Sequence, residues 1–176
     1  AGLSANQVGA MATDKIDALT SVQIKALSTA QMKAVETQDL AAMSTTQMRA
    51  ISSANIAAMS TTQINNMTTD QVVALSNSQM QALTTAQVAG MSSGQIKSLT
   101  TAQVAGLSMA QVKALETEDL AEMTTDQIAA LSAANVAALS TNQVTNMKTA
   151  QVAALTGAQV KTLTTAQVAA MTTGQI

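Results

Sequence analysis

The chain contains no phenylalanine, tyrosine or tryptophan, although 47% of its 176 residues are hydrophobic. Aromatic side chains supply much of the buried area in ordinary globular cores. A core without them must be built from Leu, Met, Val, Ile and Ala, and we expect it to be thin. Thin cores are typical of repeat proteins, whose units bury their apolar faces only against neighbouring units.

Cysteine, histidine and proline are also absent. The chain therefore has no disulfides or thiolate ligands, and without histidine or tyrosine it lacks common general acid–base groups. Its eight basic and ten acidic residues are scattered singly, which argues against the clustered Lys and Arg of a nucleic-acid surface. We expect no enzyme activity, no cofactor, no nucleic-acid partner and no small-molecule substrate.

What the chain does contain is an eight-residue repeat that runs without a gap from Leu3 to Ile176. Residues 83–90 form a clear copy, Leu-Thr-Thr-Ala-Gln-Val-Ala-Gly, and we number the octad positions one to eight from this leucine. Positions one and six are aliphatic or Met in all 22 units, which predicts that they form the core. Position five is Gln except at Lys15, Asp39, Asn55, Asp119 and Asn135.

The octad period favours a short helix in every unit. In a continuous α-helix, eight residues overshoot two turns by about 80°, so the apolar rows would spiral around the rod. In a strand, apolar positions separated by odd steps would alternate between the two faces of a sheet, so a β-solenoid fits less well. Ser or Thr at position two with Gln three residues later, as in Thr84 and Gln87, is a capping box that starts a helix.

We therefore predict an all-α solenoid of about 22 short helical units with a thin aliphatic core, forming one domain over residues 1–176. Helices this short do not persist alone, so contacts between successive turns of the solenoid must stabilise them. We expect Ala at positions seven and eight to let adjacent turns of the solenoid approach closely. We interpret the Gln row as a hydrogen-bonding ladder between coils.

A longer repeat of 80 residues lies above the octad, covering residues 27–106 and 107–176. Departures from the consensus recur at this spacing, as Glu36 matches Glu116 and Gly94 matches Gly174. We favour duplication of a ten-octad block as the cause. The alternative is that ten octads complete a whole number of superhelical turns.

The last residue, Ile176, falls inside an octad, and no terminal unit turns polar. Isolated solenoids normally carry polar terminal caps. We interpret the sequence as an excerpt of a longer array, or as a subunit whose ends are covered by neighbours. No signal peptide is visible, and no apolar run approaches the ~18–20 residues that span a membrane, so we expect no membrane insertion.

Acidic residues form the only candidate metal site, and it is a weak one. Hard divalent cations need about six to eight oxygen ligands, which would require several coils to converge. The simpler interpretation is favourable charge at helix starts, with local pairing to Lys33 and Lys113. The candidate ligands are Glu36, Asp39, Glu116 and Asp119.

The run from Leu99 to Leu107, Leu-Thr-Thr-Ala-Gln-Val-Ala-Gly-Leu, resembles the octapeptide arrays of very large bacterial exported proteins. Such proteins are often labelled adhesins or haem-utilisation/adhesion proteins. The resemblance covers nearly the whole chain. It implies export, an extracellular or cell-surface location and a stalk or spacer role, and it transfers no ligand residues.

We expect a structural role, as an extracellular spacer, an adhesin stalk or a filament building block. Uncapped solenoid ends favour end-to-end self-association into a fibre. One alternative is a binding module whose Thr arrays contact ice or a crystalline polysaccharide, and another is a general protein-docking scaffold. Ice binding requires both threonines of each pair to face solvent, whereas capping is expected to turn one of them inward.

Overall fold

The computed structural model describes residues 3–176. Over this range it contains 21 short α-helices and no strand, and the helices recur with the octad. The prediction of an all-α solenoid with an eight-residue period is confirmed. The last octad, which ends at position six, forms a turn at residues 173–175 instead of a helix, so the described chain has one helical unit fewer than predicted.

The chain divides into two compact units, Ala1–Met91 and Ser92–Ile176, and each is described by itself. The first unit contains α1 (Ala5–Gly9), α2 (Thr13–Asp17), α3 (Ser21–Lys25), α4 (Thr29–Ala34), α5 (Thr37–Ala42), α6 (Thr45–Ala50), α7 (Ser53–Ala58), α8 (Thr61–Asn65), α9 (Thr69–Ala74), α10 (Asn77–Ala82) and α11 (Thr85–Ala89). The second contains α12 (Ser93–Ser98), α13 (Thr101–Ala105), α14 (Met109–Ala114), α15 (Thr117–Glu122), α16 (Thr125–Ala130), α17 (Ala133–Ala138), α18 (Thr141–Asn146), α19 (Thr149–Ala153), α20 (Gly157–Val160) and α21 (Thr165–Ala170).

Most helices begin with the predicted capping box. At α11 the Thr84 amide donates to Gln87 Oε1 at 2.7 Å, and the Gln87 amide donates to Thr84 Oγ1 at 3.2 Å. These two bonds satisfy amides that the first turn of a helix leaves without intrahelical acceptors. Each octad therefore starts its own helix. The chain leaves the helix at position one, which is commonly extended, as at Leu75 with φ −64° and ψ 135°.

The core consists of the two aliphatic rows, as predicted. From Val8 to Val144, every position-six side chain is at most 1% exposed, and from Val35 to Met147 the position-one side chains are 2–5% exposed. Burying an aliphatic side chain of this size contributes about 1.5–3 kcal/mol. This burial exists only when coils stack, because a helix of six residues has no interior of its own.

Helices pack on the third helix along the chain in both units. In the first unit α6 contacts α9, and in the second α15 contacts α18. The position-five side chain reaches one helix further back. Gln71 of α9 donates through Nε2 to the carbonyls of Leu40, Ala41 and Met43, at 2.8, 3.2 and 2.7 Å, at the end of α5. One turn of the solenoid, which we call a coil, therefore holds between three and four helices.

The second unit repeats this arrangement. Gln151 of α19 donates to the carbonyls of Leu120, Ala121 and Met123, at 2.9, 3.3 and 2.7 Å, at the end of α15. The last carbonyls of a helix have no intrahelical donors and must find partners elsewhere. The amide at position five supplies them while its own oxygen caps its own helix. The predicted ladder between coils is thus present, and it joins residues 28–31 apart in sequence.

Asparagine at position five keeps part of this bonding. Asn55 Nδ2 donates to the Leu27 carbonyl at 2.8 Å, and Asn135 Nδ2 donates to the Leu107 carbonyl at 3.0 Å. The shorter side chain accepts no hydrogen bond from the amide of its N-cap serine. The hydroxyls of Ser52 and Ser132 still accept from the asparagine amides, so one of the two capping-box bonds remains. The contact between coils is kept and the capping box is lost.

One close approach between two coils is made at a glycine. A Cβ added at Gly9, at position seven, would lie 2.8 Å from the Ala34 carbonyl oxygen. That distance is too short for a carbon and a backbone oxygen. A Cβ added at Gly157, in contrast, would meet nothing within 4 Å.

No helix within residues 3–176 combines the length and apolar character needed to cross a membrane.

We predict that Gln71→Ala destabilises the fold more than Gln23→Ala. Gln71 is 2% exposed and bonds two coils, whereas Gln23 is exposed and makes only its capping-box bonds. Losing Gln71 leaves buried carbonyls without donors, at about 1–3 kcal/mol, while losing a cap costs roughly 1 kcal/mol. Urea unfolding monitored by far-ultraviolet circular dichroism measures both. Equal losses in the two variants would contradict a bridging role for Gln71.

We predict opposite effects of Gly9→Ala and Gly157→Ala. The first crowds the Ala34 carbonyl, and overpacking of this kind costs about 1–3 kcal/mol. The second removes backbone freedom from the unfolded chain at a site with open space, and should stabilise by about 0.4–1 kcal/mol. Amide hydrogen exchange of the surrounding helices reports each effect locally. Increased protection around Gly9→Ala would show that the coils can separate without cost.

Candidate functional site

Aspartate replaces glutamine at position five of α5 and α15, and both carboxylates are buried. Asp39 is 1% exposed and Asp119 is 4% exposed. Asp39 Oδ1 accepts a hydrogen bond from Thr13 Oγ1 at 2.6 Å, and Asp119 Oδ1 accepts one from Ser93 Oγ at 2.6 Å. A carboxylate cannot donate to carbonyls as the glutamine amide does. A hydroxyl of the preceding coil donates to the carboxylate instead, and this bond replaces the contact between coils.

Sequence reasoning missed this pairing, although a signal for it exists. Thr13 and Ser93 are 80 residues apart, as are Asp39 and Asp119. The hydroxyl partner therefore recurs with the same long spacing as the aspartate. The signal is faint because Ser or Thr is common at position three throughout the chain. Only the contact between coils shows which hydroxyl meets the carboxylate.

The four candidate metal ligands do not converge in the described structure. Asp39 and Asp119 lie inside and are bonded to hydroxyls, while Glu36 and Glu116 are exposed at the N-caps of α5 and α15. Glu36 Oε2 accepts from Gln38 Nε2 at 3.0 Å. Residues 3–176 contain no group of three or more potential metal-ligating His, Cys, Asp or Glu side chains. Metal binding at these residues stays a weak prediction.

The ion pairs also differ from expectation. Lys33 and Lys113 make no salt bridge within residues 3–176, so the predicted pairing with the neighbouring glutamates is wrong. Their side chains are exposed and lie in the last turns of α4 and α14. A positive charge there is favourable beside the carbonyl end of the helix.

A glutamate in the second unit instead forms ion pairs with lysines of two other helices. Glu122, at the end of α15, lies 3.7 Å from Lys97 Nζ of α12 and 3.0 Å from Lys148 Nζ at the start of α19. The hydrogen bond and positive charge of Lys148, followed by the charge of Lys97, lower the pKa of Glu122 below its ordinary value. Lys148 occupies an N-cap position without acting as a cap through its side chain.

The paired hydroxyl residues lie at the surface. Thr100 and Thr101 are both exposed, and so are Thr84 and Thr85. The first threonine of each pair still accepts from the Gln amide three residues on. The expectation that capping turns one threonine inward is therefore wrong, because the N-cap hydroxyl bonds a backbone amide at the edge of the coil.

The N-terminal coil of the first unit presents one kind of face, which we call the amide face. Here the position-one side chains are partly exposed, with Leu3 at 51%, whereas the position-six residues stay buried. A cavity of about 340 Å³ opens at this face. The Nε2 groups of Gln7 and Gln23 donate no hydrogen bond within the described chain. The face comprises Leu3, Gln7, Met11, Lys15, Leu19, Gln23 and Leu27.

The C-terminal coil of the second unit presents the opposite kind, which we call the carbonyl face. Its position-six side chains are uncovered, with Val160 50% and Val168 45% exposed, while Gln159 and Gln167 stay 2% exposed. The carbonyls of Leu155, Leu163 and Met171 receive no glutamine bond within residues 3–176, unlike their equivalents in earlier coils. The face comprises Val152, Leu155, Val160, Leu163, Val168 and Met171.

We predict that Glu122 titrates below the ordinary range of a glutamate and that Lys148→Met moves its pKa back up. A depressed folded-state pKa means that the pairing stabilises the fold above the unfolded-state pKa and is lost as the pH falls through the folded-state value. Carboxyl carbon chemical shifts followed against pH measure this directly. Lys161→Met is the control, since that lysine makes no ion pair with Glu122. An unchanged Glu122 titration in Lys148→Met would contradict the assignment.

A family model for the ALTTAQ repeat matches the chain six times, at residues 32–69, 56–85, 66–101, 85–117, 112–149 and 146–176. The matches overlap and together extend from Met32 to Ile176. No curated protein and no solved structure matches the chain. The repeat character predicted from the sequence is confirmed, while the adhesin or haem-utilisation label stays a prediction. The chain belongs to the ALTTAQ repeat family.

Proposed function

We propose that this chain is a structural spacer, a stalk or filament segment in which octads are added to set a length. The glutamine ladder carries the proposal. Inside each unit, position-five amides bond a coil to the one before it through the same few carbonyls. A solenoid held in this way depends only on contacts between adjacent coils. Adding octads therefore adds structure without requiring any new kind of contact.

The surface of the chain supports a mechanical role over a chemical one. The buried polar side chains are engaged in capping and in bonds between coils, and no buried side-chain nitrogen or oxygen within residues 3–176 lacks a partner. Catalytic sites usually combine a pocket with titratable groups of strongly shifted pKa. The two lowered pKa values here belong to the exposed Glu118 and Glu122. The proposal therefore assigns the chain no reaction.

We also propose that the spacer works outside the cell or at its surface, as a stalk of a bacterial adhesin-type protein. The support is the resemblance of its octads to arrays in large exported proteins, together with a chain free of cysteine, which cannot mispair during export. An antibody against the chain tests this on intact and lysed cells of the source organism. Labelling of intact cells is expected, and labelling only after lysis would contradict an external location.

Ice or crystalline polysaccharide is a second candidate target, favoured by one observation. Both threonines of pairs such as Thr100 and Thr101 are exposed, and six of the 22 octads carry Thr at both positions two and three. A regular hydroxyl array can match a regular solid surface. Thermal hysteresis and polysaccharide pull-down assays decide the matter, and no effect at high protein concentration would remove this candidate.

The spacer proposal predicts that whole-octad insertions lengthen the chain in fixed steps. The chain has no cysteine, so spin labels can be attached at Lys113→Cys and Lys161→Cys, two exposed positions in the second unit. Octads of consensus sequence are inserted after Ala138, which ends an octad. Double electron–electron resonance should show a narrow distance distribution whose mean rises with each added set of octads.

A matched insertion tests whether the ladder causes this behaviour. The same octads with Ala in place of Gln keep the aliphatic rows and remove the bonds between coils. We expect these inserts to broaden the distance distribution. Broad distributions for the glutamine inserts would contradict a rigid spacer and favour a flexible scaffold.

A further inference from the structure

We propose that α15 is a salt-sensitive joint in the second unit, a short helix bound to other coils by charged groups where its neighbours are bound by neutral amides. Raising the ionic strength opens this helix while the neighbouring helices stay folded. The inference rests on the spacer role proposed above for its purpose, whereas the opening itself is measured without reference to that role.

The start of α15 is bonded less than any other helix start in the second unit. Glu116 and Asp119 replace the capping hydroxyl and the glutamine, and neither bond of the capping box is made. Every other helix within residues 92–176 makes at least one of the two bonds. At α16, for example, Thr124 and Gln127 make both, at 2.7 and 3.2 Å. Opening α15 therefore breaks no capping-box bond.

Charged groups also make the polar contacts between α15 and the preceding coil. Asp119 Oδ1 accepts from Ser93 Oγ at 2.6 Å, and Glu122 lies 3.7 Å from Lys97 Nζ. Both partners belong to α12. The next helix, α16, is bonded to the end of α12 by the neutral amide of Gln127, at 2.7–3.1 Å. Two adjacent helices thus contact the same earlier helix by different chemistry.

The ion pairs of Glu122 lie at the surface, where dissolved salt screens them. Lys148 Nζ, at the start of α19, lies 3.0 Å from Glu122, so the pairs join α15 to a later helix as well as to α12. The side chains of Glu122, Lys97 and Lys148 are 43%, 60% and 57% exposed. The screening length falls from about 10 Å at 0.1 M salt to about 3 Å at 1 M. Hydrogen bonds between neutral amides and carbonyls carry no net charge for salt to screen, so salt weakens α15 selectively.

The first unit contains a natural control in α5, the equivalent helix 80 residues earlier. Glu36 and Asp39 make the same two replacements, and α5 also has neither capping-box bond. The residues that precede Lys97, Glu122 and Lys148 by 80 are Asp17, Ala42 and Thr68. No salt bridge within the described chain involves α5. We therefore expect α5 to open readily at every salt concentration.

Native-state amide hydrogen exchange measures the opening of each helix in the full chain. The amides of Leu120 in α15, Ile128 in α16 and Leu40 in α5 are matched probes, since each donates to its N-cap carbonyl at 3.0 Å. Rates are corrected for the effect of salt on an unstructured peptide. The Leu120 amide should exchange about two- to tenfold faster at about 1 M than at about 0.02 M NaCl, as expected for losing two exposed ion pairs. The Ile128 and Leu40 rates should not change.

Glu122→Gln tests the ion pairs directly, because it removes the charge and keeps the length of the side chain. At low salt its Leu120 amide should exchange as fast as that of the unaltered chain at high salt, and the salt dependence should disappear. Asp126→Asn is the control, since it changes the charge equally at an exposed residue without a salt bridge within residues 3–176. It should leave the Leu120 rate unchanged.

Two further variants test the other parts of the argument. Glu116→Ser with Asp119→Gln supplies both capping-box groups, and should slow Leu120 exchange at both salt concentrations. Asp17→Lys with Ala42→Glu places the Lys97–Glu122 pair on α2 and α5, which are in contact. It should slow Leu40 exchange about twofold or more at low salt, and leave it unchanged at about 1 M salt. Far-ultraviolet circular dichroism verifies that each variant folds.

Three results would overturn the inference. They are a Leu120 rate that is independent of salt, a Glu122→Gln variant that exchanges like the unaltered chain, and equal acceleration of Leu120 and Ile128. Equal acceleration would show that the coils open together and that α15 is no separate joint. The two proposals fail separately, because spin-label distances measured at low salt decide the spacer and exchange at α15 decides the joint.

Discussion

The structure depends on a single side-chain amide that works in two directions. A helix of five or six residues leaves most of its carbonyls without intrahelical donors, and no helix within residues 3–176 is longer than six residues. At Gln71, Oε1 accepts from the Thr68 amide while Nε2 donates to carbonyls of the coil before. One residue therefore bonds an amide at the start of its own helix and carbonyls at the end of a helix in the preceding coil. The aliphatic rows then have neighbours against which they can be buried.

Much of this fold follows from the sequence because its determinants are local. The capping box at Thr84 and Gln87 involves residues three apart, and the choice of helix over strand follows from the spacing of positions one and six. The partner of each glutamine could not be predicted in the same way. It lies 28–31 residues away, a distance fixed by how many helices complete a coil, and that number results from packing.

The polar exceptions show the same limit. Asp119 was recognisable as unusual, yet a weak cation site and a helix-start charge were its only predicted roles. Its actual partner is Ser93, which lies 26 residues earlier, on the preceding coil. Glu122 is similar, because its two lysines come from helices on either side in sequence. Nothing in the local sequence around these exceptions names a partner on another coil, so the sequence shows the departures from the repeat and the structure supplies their partners.

The position-five bonds have a consequence for how such arrays change length. Inside each unit, the glutamine bonds between coils depend only on relative position along the chain, never on a particular residue number. Unequal recombination between repeated stretches of the gene adds or removes whole octads and leaves every surviving glutamine bond with an equivalent carbonyl partner. An insertion of any other size would set amide against amide or aliphatic row against solvent. The bonding pattern thus makes genetic expansion tolerable in multiples of eight residues and disfavours other changes in length.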